Sequence, residues 1–74
     1  MKLEQVRDLM SVRVADKLGK PKGWMVDKKN INARRAGAEG LVIGCVAGHG
    51  GEVFWVSHGG GEIAVYTSDE LEPI

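Results

Sequence analysis

Cysteine, proline and aromatic residues are all scarce in this 74-residue chain, which has one cysteine, two prolines, two tryptophans, one tyrosine and one phenylalanine. A single cysteine excludes an internal disulfide. No group of histidine and cysteine residues has zinc-finger spacing, so a structural metal is not expected. A domain of this size buries only about 60% of its unfolded surface. Its stability must come from a compact apolar core, supplemented by self-association if the chain forms a homo-oligomer.

Long apolar segments are missing as well. The longest apolar run is too short to cross a bilayer. Residues 1–7 contain an early acid and no apolar signal-peptide region. The lone Cys45 suits a reducing compartment. We therefore expect a cytoplasmic protein without membrane contact, from a bacterium, a phage or another mobile element.

The formal net charge is zero, with ten cations and ten anions, but the charges are unevenly distributed. Residues 62–74 hold four acids and no base. Residues 17–35, here called the basic loop, hold a single acid, Asp27, and seven cations. These cations are Lys17, Lys20, Lys22, Lys28, Lys29, Arg34 and Arg35. Since loops longer than about 12–15 residues are uncommon and tend to be functional, this segment is the first candidate for a binding site.

The first 15 residues predict a short helix followed by a strand. Leu3 and Val6 have helical spacing, so residues 2–9 are expected to form an N-terminal helix or arm of about two turns, which is marginal in isolation. Residues 10–15 alternate apolar and polar side chains, the pattern of a half-buried strand. Residues 16–39 are rich in glycine, lysine and asparagine, which indicates a long loop, with room for one short turn of helix or a hairpin.

The C-terminal half predicts an antiparallel meander. Residues 40–47, 52–57 and 62–67 are rich in β-branched and aromatic residues, and glycine-rich turns at 48–51 and 58–61 join them. One capped helical turn at residues 68–70 then leads into a short last strand. An open sheet of this size would expose two edges, and bending it into a barrel removes most of that exposure. Residues 10–74 are therefore expected to form one all-β, five-stranded barrel domain.

This layout resembles the SH3-like barrels of small bacterial and phage proteins. The stretches that carry the resemblance are residues 12–14, 39–42, 53–56 and 66–73. The resemblance implies a barrel in which a long loop follows the first strand, and it implies little about function, because this fold hosts many functions.

The stretch Ile63-Ala64-Val65-Tyr66, followed by Glu70-Leu71-Glu72, is similar to the C-terminus of plasmid-borne type II dihydrofolate reductase. That resemblance implies a pore-forming oligomer that binds NADPH and dihydrofolate, with Val65 and Tyr66 lining the pore. Ala64 stands where the family has a glutamine, and a methyl group can neither donate nor accept a hydrogen bond. We keep an NADPH-dependent reductase as the alternative to a non-catalytic binding module.

Histidine, cysteine and glycine residues offer little for catalysis. His49 and His58 fall in two different predicted turns, so both are expected to be solvent-exposed and not to share a metal. Cys45, in an apolar strand, is expected to be a small buried residue without a neighbouring base. The two glycine-rich turns connect strand to strand, whereas phosphate loops lead into a helix. No catalytic residue, metal ligand or cofactor is predicted.

The basic loop and an aromatic face remain as the predicted binding site. Phe54 and Trp55 are consecutive in a strand, so one must enter the core and the other must face outward. Cations can neutralise phosphates or carboxylates, and tryptophan can stack on a base or fill a pocket. The predicted partner is a protein or a nucleic acid. The predicted contact residues are Lys20, Lys22, Trp24, Lys28, Lys29, Arg34, Arg35 and Trp55.

Overall fold

A computed structural model of the chain describes residues 1–21, 26–48 and 51–74. Five strands follow in order: β1 (Ser11–Val14), β2 (Glu39–Gly48), β3 (Gly51–Gly59), β4 (Glu62–Tyr66) and β5 (Leu71–Pro73). One short helix, α1 (Lys28–Asn32), lies between β1 and β2, and single 3-10 turns form at Leu3–Gln5 and Ser68–Glu70. The predicted contact residues Lys22 and Trp24, and His49, lie outside the described residues.

All five strands belong to one antiparallel sheet with the order β4-β3-β2-β1-β5. The all-β prediction and the barrel-like arrangement are therefore confirmed, as are the meander, the 3-10 turn and the short last strand. Strands β4 and β5 stand at the two ends of the order, so hydrogen bonds do not close the sheet, but buried residues of both strands share one core cluster, so the sheet is bent.

Most of the core lies on one face of the sheet, because alternate side chains of each strand point the same way, although Val53 and Val65 are fully buried on the opposite face. Val12 and Val14 of β1 are fully buried, as the alternation of residues 10–15 predicts. The other members of this core are Val42, Phe54, Val56, Ala64, Tyr66 and Leu71. Each large apolar side chain buried here contributes about 1.5–3 kcal/mol relative to exposure.

The opposite side of the sheet, here called the outer face, carries an uncharged row across β1, β2, β3 and β4. Backbone pairing aligns Ser11 with Leu41, Leu41 with Ser57, and Ser57 with Ile63. Ile74 extends the row, since its amide donates to the Ser11 carbonyl at 3.4 Å. Ser11 and Ile74 are exposed and the other three residues of the row are half-buried, so this surface is neither the polar face of a typical antiparallel sheet nor a sealed core.

A β-bulge interrupts the pairing of β2 with β3. Val42 pairs with Val56 and Gly44 with Trp55, so Ile43 is an extra residue without a partner on β3. Bulges of this kind bend a strand and increase its twist. Here the bulge also leaves the Ile43 side chain 42% exposed.

The N-terminal helix is shorter than expected. Only Leu3–Gln5 is helical, and the chain then turns at Leu9, which has a φ of 63°. The amide of Leu9 donates to the Val42 carbonyl at 2.6 Å, and the Met10 carbonyl accepts from the Val42 amide at 2.9 Å. Residues 9–10 thus join β2, which prevents a helix from running through them, while Met1 and Val6 pack on the core.

The long connection between β1 and β2 is anchored by α1. Asn30 is buried, and its Nδ2 donates to the Ile63 carbonyl of β4 at 2.8 Å. Ala33, just after the helix, packs against the core. Of the two local structures that the sequence allowed in this loop, the helical turn is the one formed. Among the described residues, no helix has the length and apolar character needed to cross a membrane.

Candidate binding groove

An open groove of about 490 Å³ lies between α1 and the outer face of β2, β3 and β4. Its apolar lining is Ala33, Ile43, Trp55 and Ile63. Its polar lining is Asp27, Lys29, Asn30, Gly61 and Glu62. An apolar floor with a few polar groups at the rim is the usual construction of a ligand-binding site.

Trp55 is positioned in the groove by the alternation of β3. Its neighbour Phe54 enters the core and is 5% exposed, whereas Trp55 points to the outer face and stays half-buried. The prediction that these two aromatics face opposite sides is confirmed. Trp55 pairs with Gly44 across the sheet, and its Cδ1 lies 3.5 Å from the place where a Cβ on that glycine would stand. Val65, its partner on β4, is fully buried.

The cations of the basic loop have different environments. Lys20, Lys28 and Lys29 are exposed, and Lys29 lines the groove together with Trp55. Arg35 is more than half exposed, and its Nη2 lies 2.5 Å from Oε2 of Glu62 at the groove rim. Of the predicted contact residues in the described part of the chain, the groove therefore brings together Lys29 and Trp55, with Arg35 near its edge.

The charge of Arg34 is compensated within the folded chain. Its side chain is 6% exposed and forms an ion pair with Glu70, which is 8% exposed. Arg34 Nη1 also donates to the Gly19 carbonyl at 3.1 Å, while Glu70 Oε2 accepts from the Gly19 amide at 2.8 Å. Glu70 Oε1 accepts from the Thr67 amide at 3.0 Å. The ion pair thus binds both the carbonyl and the amide of Gly19. These two hydrogen bonds fix the start of the basic loop to the 3-10 turn before β5.

His58 does not lie in a solvent-exposed turn, as its glycine-rich surroundings predicted. It belongs to β3, is half-buried, and bonds through both ring nitrogens: Nδ1 lies 2.8 Å from the Glu39 carbonyl and Nε2 lies 2.6 Å from the Tyr66 hydroxyl. A carbonyl only accepts, so Nδ1 carries the proton of the neutral ring and Nε2 accepts from Tyr66. The tyrosine oxygen in turn accepts from the Arg35 amide at 2.9 Å. This chain ties the residues after α1 to the sheet.

Cys45 is exposed, which corrects the expectation that it is buried. It pairs with Phe54 on the core side of β2, but β1 pairs with β2 only from Glu39 to Leu41, so β1 does not extend alongside Cys45. Among the described residues no histidine, cysteine, aspartate or glutamate cluster is able to hold a metal ion.

Tyr66 is the only tyrosine of the chain, so its ionisation can be followed by absorbance without interference from other phenols. Burial raises the pKa of its phenol above the usual value of 10.0, against the opposing effects of the Arg35 amide and the Arg34 charge. The folded state therefore disfavours the tyrosinate, and this contribution to stability is complete below the unfolded pKa of about 10 and lost as pH rises through the folded value.

We expect tyrosinate absorbance to appear above the pH at which free tyrosine ionises, together with loss of the far-ultraviolet circular dichroism of the sheet. Ionisation at the free-tyrosine pH with the sheet intact would contradict the buried environment of Tyr66. Denatured protein in urea, which exposes the phenol, supplies the reference titration.

Comparisons with protein-family models, with curated proteins and with solved structures found no match for this chain. The fold and the groove define a small all-β domain with one half-buried tryptophan on its outer face.

Proposed function

We propose that this chain is a small, non-catalytic binding module whose groove receives an apolar side chain of a protein partner. The observation that carries the proposal is the half-buried Trp55 on an apolar floor with Ile43 and Ile63. Tryptophan is enriched among residues that dominate binding energy at protein interfaces, and such residues sit in pockets with polar rims.

The charges around the groove favour a protein over a nucleic acid. Asp27 and Glu62 place two carboxylates at the rim, against the ammonium of Lys29. Arg34 and Arg35 are already paired with Glu70 and Glu62. A surface that neutralises phosphates is expected to be dominated by cations, whereas mixed charges are typical of a protein-binding rim.

Nucleic acid is the second candidate, and the exposure of Lys20, Lys28 and Lys29 supports it. Three exposed lysines in one loop can contact phosphates in a salt-dependent way. This binding would use the outer side of α1 and the loop before it more than the floor of the groove.

The reductase alternative receives less support from the burial of its residues. Ala64, Val65 and Tyr66 are each fully buried within the single chain, so none presents its side chain to a pore. The relationship to SH3-like barrels fits the bent five-stranded sheet and remains part of the proposal. A cytoplasmic location fits the exposed free thiol of Cys45, since a reducing compartment keeps such thiols unpaired.

Substituting the tryptophan tests the proposed function. We expect peptides selected from a random displayed library on the wild-type chain to bind Trp55→Ala at least about thirtyfold more weakly, since truncating a central interface residue of this kind costs about 2 kcal/mol or more. The exposed Glu4, on the first 3-10 turn, offers the matched control Glu4→Gln, which is expected to bind normally.

Amide NMR shifts decide where and what the module binds. Peptide-induced shifts should centre on the Ile43, Trp55 and Ile63 amides and persist at physiological salt. Short DNA and RNA should cause few shifts there. Shifts that cluster on residues 17–35 and disappear steeply with salt would instead establish the nucleic-acid candidate.

A further inference from the structure

Leu9 is the most exposed large apolar side chain among the described residues, at 73%. It occupies the third position of a turn closed by the Met10 amide and the Arg7 carbonyl at 3.3 Å, with a φ of 63°. Such a position normally takes glycine, because a side chain with a Cβ is strained there. A leucine is therefore held in an unfavourable backbone conformation with its side chain in solvent, and outliers of this kind are typical of functional positions.

This leucine lies beside the groove. The Leu9 amide donates to the Val42 carbonyl at 2.6 Å, and the next residue, Ile43, lines the groove. One molecule thus carries an apolar knob and an apolar hole on neighbouring parts of the same surface. When a knob and a hole are adjacent, a two-fold axis between them satisfies both at once, which is the isologous arrangement of most homodimers.

From this arrangement we infer that the partner of the groove is a second copy of this chain, with Leu9 of each protomer inserted between Ile43, Trp55 and Ala33 of the other. The inference rests on the proposed function, because it names the occupant of the same groove. It goes further by assigning the inserted side chain and the symmetry of the complex.

Charge favours a second copy over an unrelated partner. The chain has ten cations and ten anions, so two copies approach without net repulsion, and a net charge near zero promotes association. The groove rim carries Asp27 and Lys29, and the inserted Leu9 turn of the other copy carries the exposed Arg7 and Asp8, so each rim charge meets a charge of opposite sign on that turn. The uncharged row from Ile74 to Ile63 adds apolar surface next to the groove.

The size of the molecule permits the contact. A stable dimer buries about 800 Å² on each partner, which is roughly one sixth of the 4658 Å² of accessible surface. Five strands spaced about 4.8 Å apart would span about 19 Å between the outermost strand axes if the sheet were flat, and the molecule measures 28 × 27 × 22 Å. The outer face together with the Leu9 turn therefore has the room that a dimer needs.

Sedimentation velocity of the full chain, from about 1 μM to about 1 mM, tests the inference. We expect a concentration-dependent equilibrium between one and two chains. Leu9→Gly should weaken the dimer at least about a hundredfold, because the interface loses two buried leucines, one from each protomer, each worth about 1.5–3 kcal/mol. Glycine accepts the positive φ, so this variant keeps or improves the monomer fold, which the melting temperature checks. Leu3→Ser, at an exposed leucine on the first 3-10 turn, is the matched control and should dimerise normally.

A charge placed in the hole supplies an independent variant. Ile43→Asp should abolish the dimer, because the carboxylate would be buried against the apolar floor. A wild-type chain that stays monomeric at every concentration would overturn the inference, while peptide binding at Trp55 would still support the proposed function. A dimer that survives both Leu9→Gly and Ile43→Asp would overturn it as well, since the chains would then associate elsewhere.

Discussion

Arg34→Ala is expected to cause the largest loss of folding stability. The substitution leaves the Glu70 carboxylate 8% exposed without its cation, and removing one partner of a buried ion pair costs about 3–5 kcal/mol. It also leaves the Gly19 carbonyl without the Arg34 donor. A 74-residue domain has a total stability of roughly 4–11 kcal/mol, so this one change removes between about a quarter and all of it.

Urea denaturation of three variants compares the free energy contributed by the buried ion pair with that of an exposed cation in the same loop. Glu70→Gln keeps one carbonyl acceptor for two amides that bond to separate Glu70 oxygens, and it removes the negative charge that faces Arg34, so it should also destabilise the fold. Lys28→Ala removes an exposed cation of the same loop and should change the free energy of unfolding by less than about 0.5 kcal/mol. If Arg34→Ala were as stable as Lys28→Ala, the buried ion pair would have no structural role.

Gly40→Ala is expected to have the second largest effect. A Cβ at this position would lie 2.5 Å from Cγ1 of Val56 and 2.8 Å from the backbone oxygen of Ser57. Neither atom can move away freely, because Val56 is fully buried and Ser57 belongs to the β3 ladder. Forcing an extra carbon into a packed core costs about 1–3 kcal/mol, so we expect a loss of at least 2 kcal/mol here.

Thermal unfolding of Gly40→Ala beside Gly19→Ala checks this expectation. At Gly19 the nearest atom to an added Cβ is Glu70 Oε2 at 3.7 Å, an ordinary contact. We expect Gly19→Ala to melt close to the wild-type temperature and Gly40→Ala to melt more than about 8 °C lower, since 1 kcal/mol shifts the melting point of such a domain by about 4–8 °C. Equal melting temperatures would show that β2 and β3 are not packed as closely as described.

The strands were predictable because their signal is local. Alternation at Val12 and Val14, and β-branched runs between glycine-rich turns, depend only on neighbouring residues. The opposite orientations of Phe54 and Trp55 follow from the same period of two. The local pattern did not predict where the strands end. Strands β2 and β3 extend further than expected, and His58, assigned to a turn, is the eighth residue of β3.

The polar contacts were not predictable, because they join residues far apart in the chain. Arg34 and Glu70 are 36 positions apart, and the amide of Arg35 reaches the Tyr66 hydroxyl across 31 positions. From composition alone, Arg34 could therefore not be distinguished from an exposed loop cation such as Lys28. The excess of cations over residues 17–35 and of acids over residues 62–74 was the one available signal that the two segments pair.

The groove was only half predictable. Trp55 and Lys29 were chosen from side-chain type alone, whereas Ile43 and Ile63 became groove residues through the bulge and the position of α1. No sequence pattern pointed to Leu9, because its positive φ is a property of the folded backbone. Cys45 was placed in the core because an apolar strand favours burial, but it is exposed in the part of β2 beyond the pairing with β1.

The extra residue in β2 separates strand pairing from the composition of the exposed surface, two requirements that most strands meet with the same positions. Val42 pairs with Val56 and Gly44 with Trp55, so removing Ile43 would leave an unbroken ladder with every other partner unchanged. Without it the strand would lose only a bend and one exposed side chain. Residue 43 can therefore be inserted, deleted or substituted during evolution. Each such change alters the exposed surface of the domain and leaves the register of its core the same.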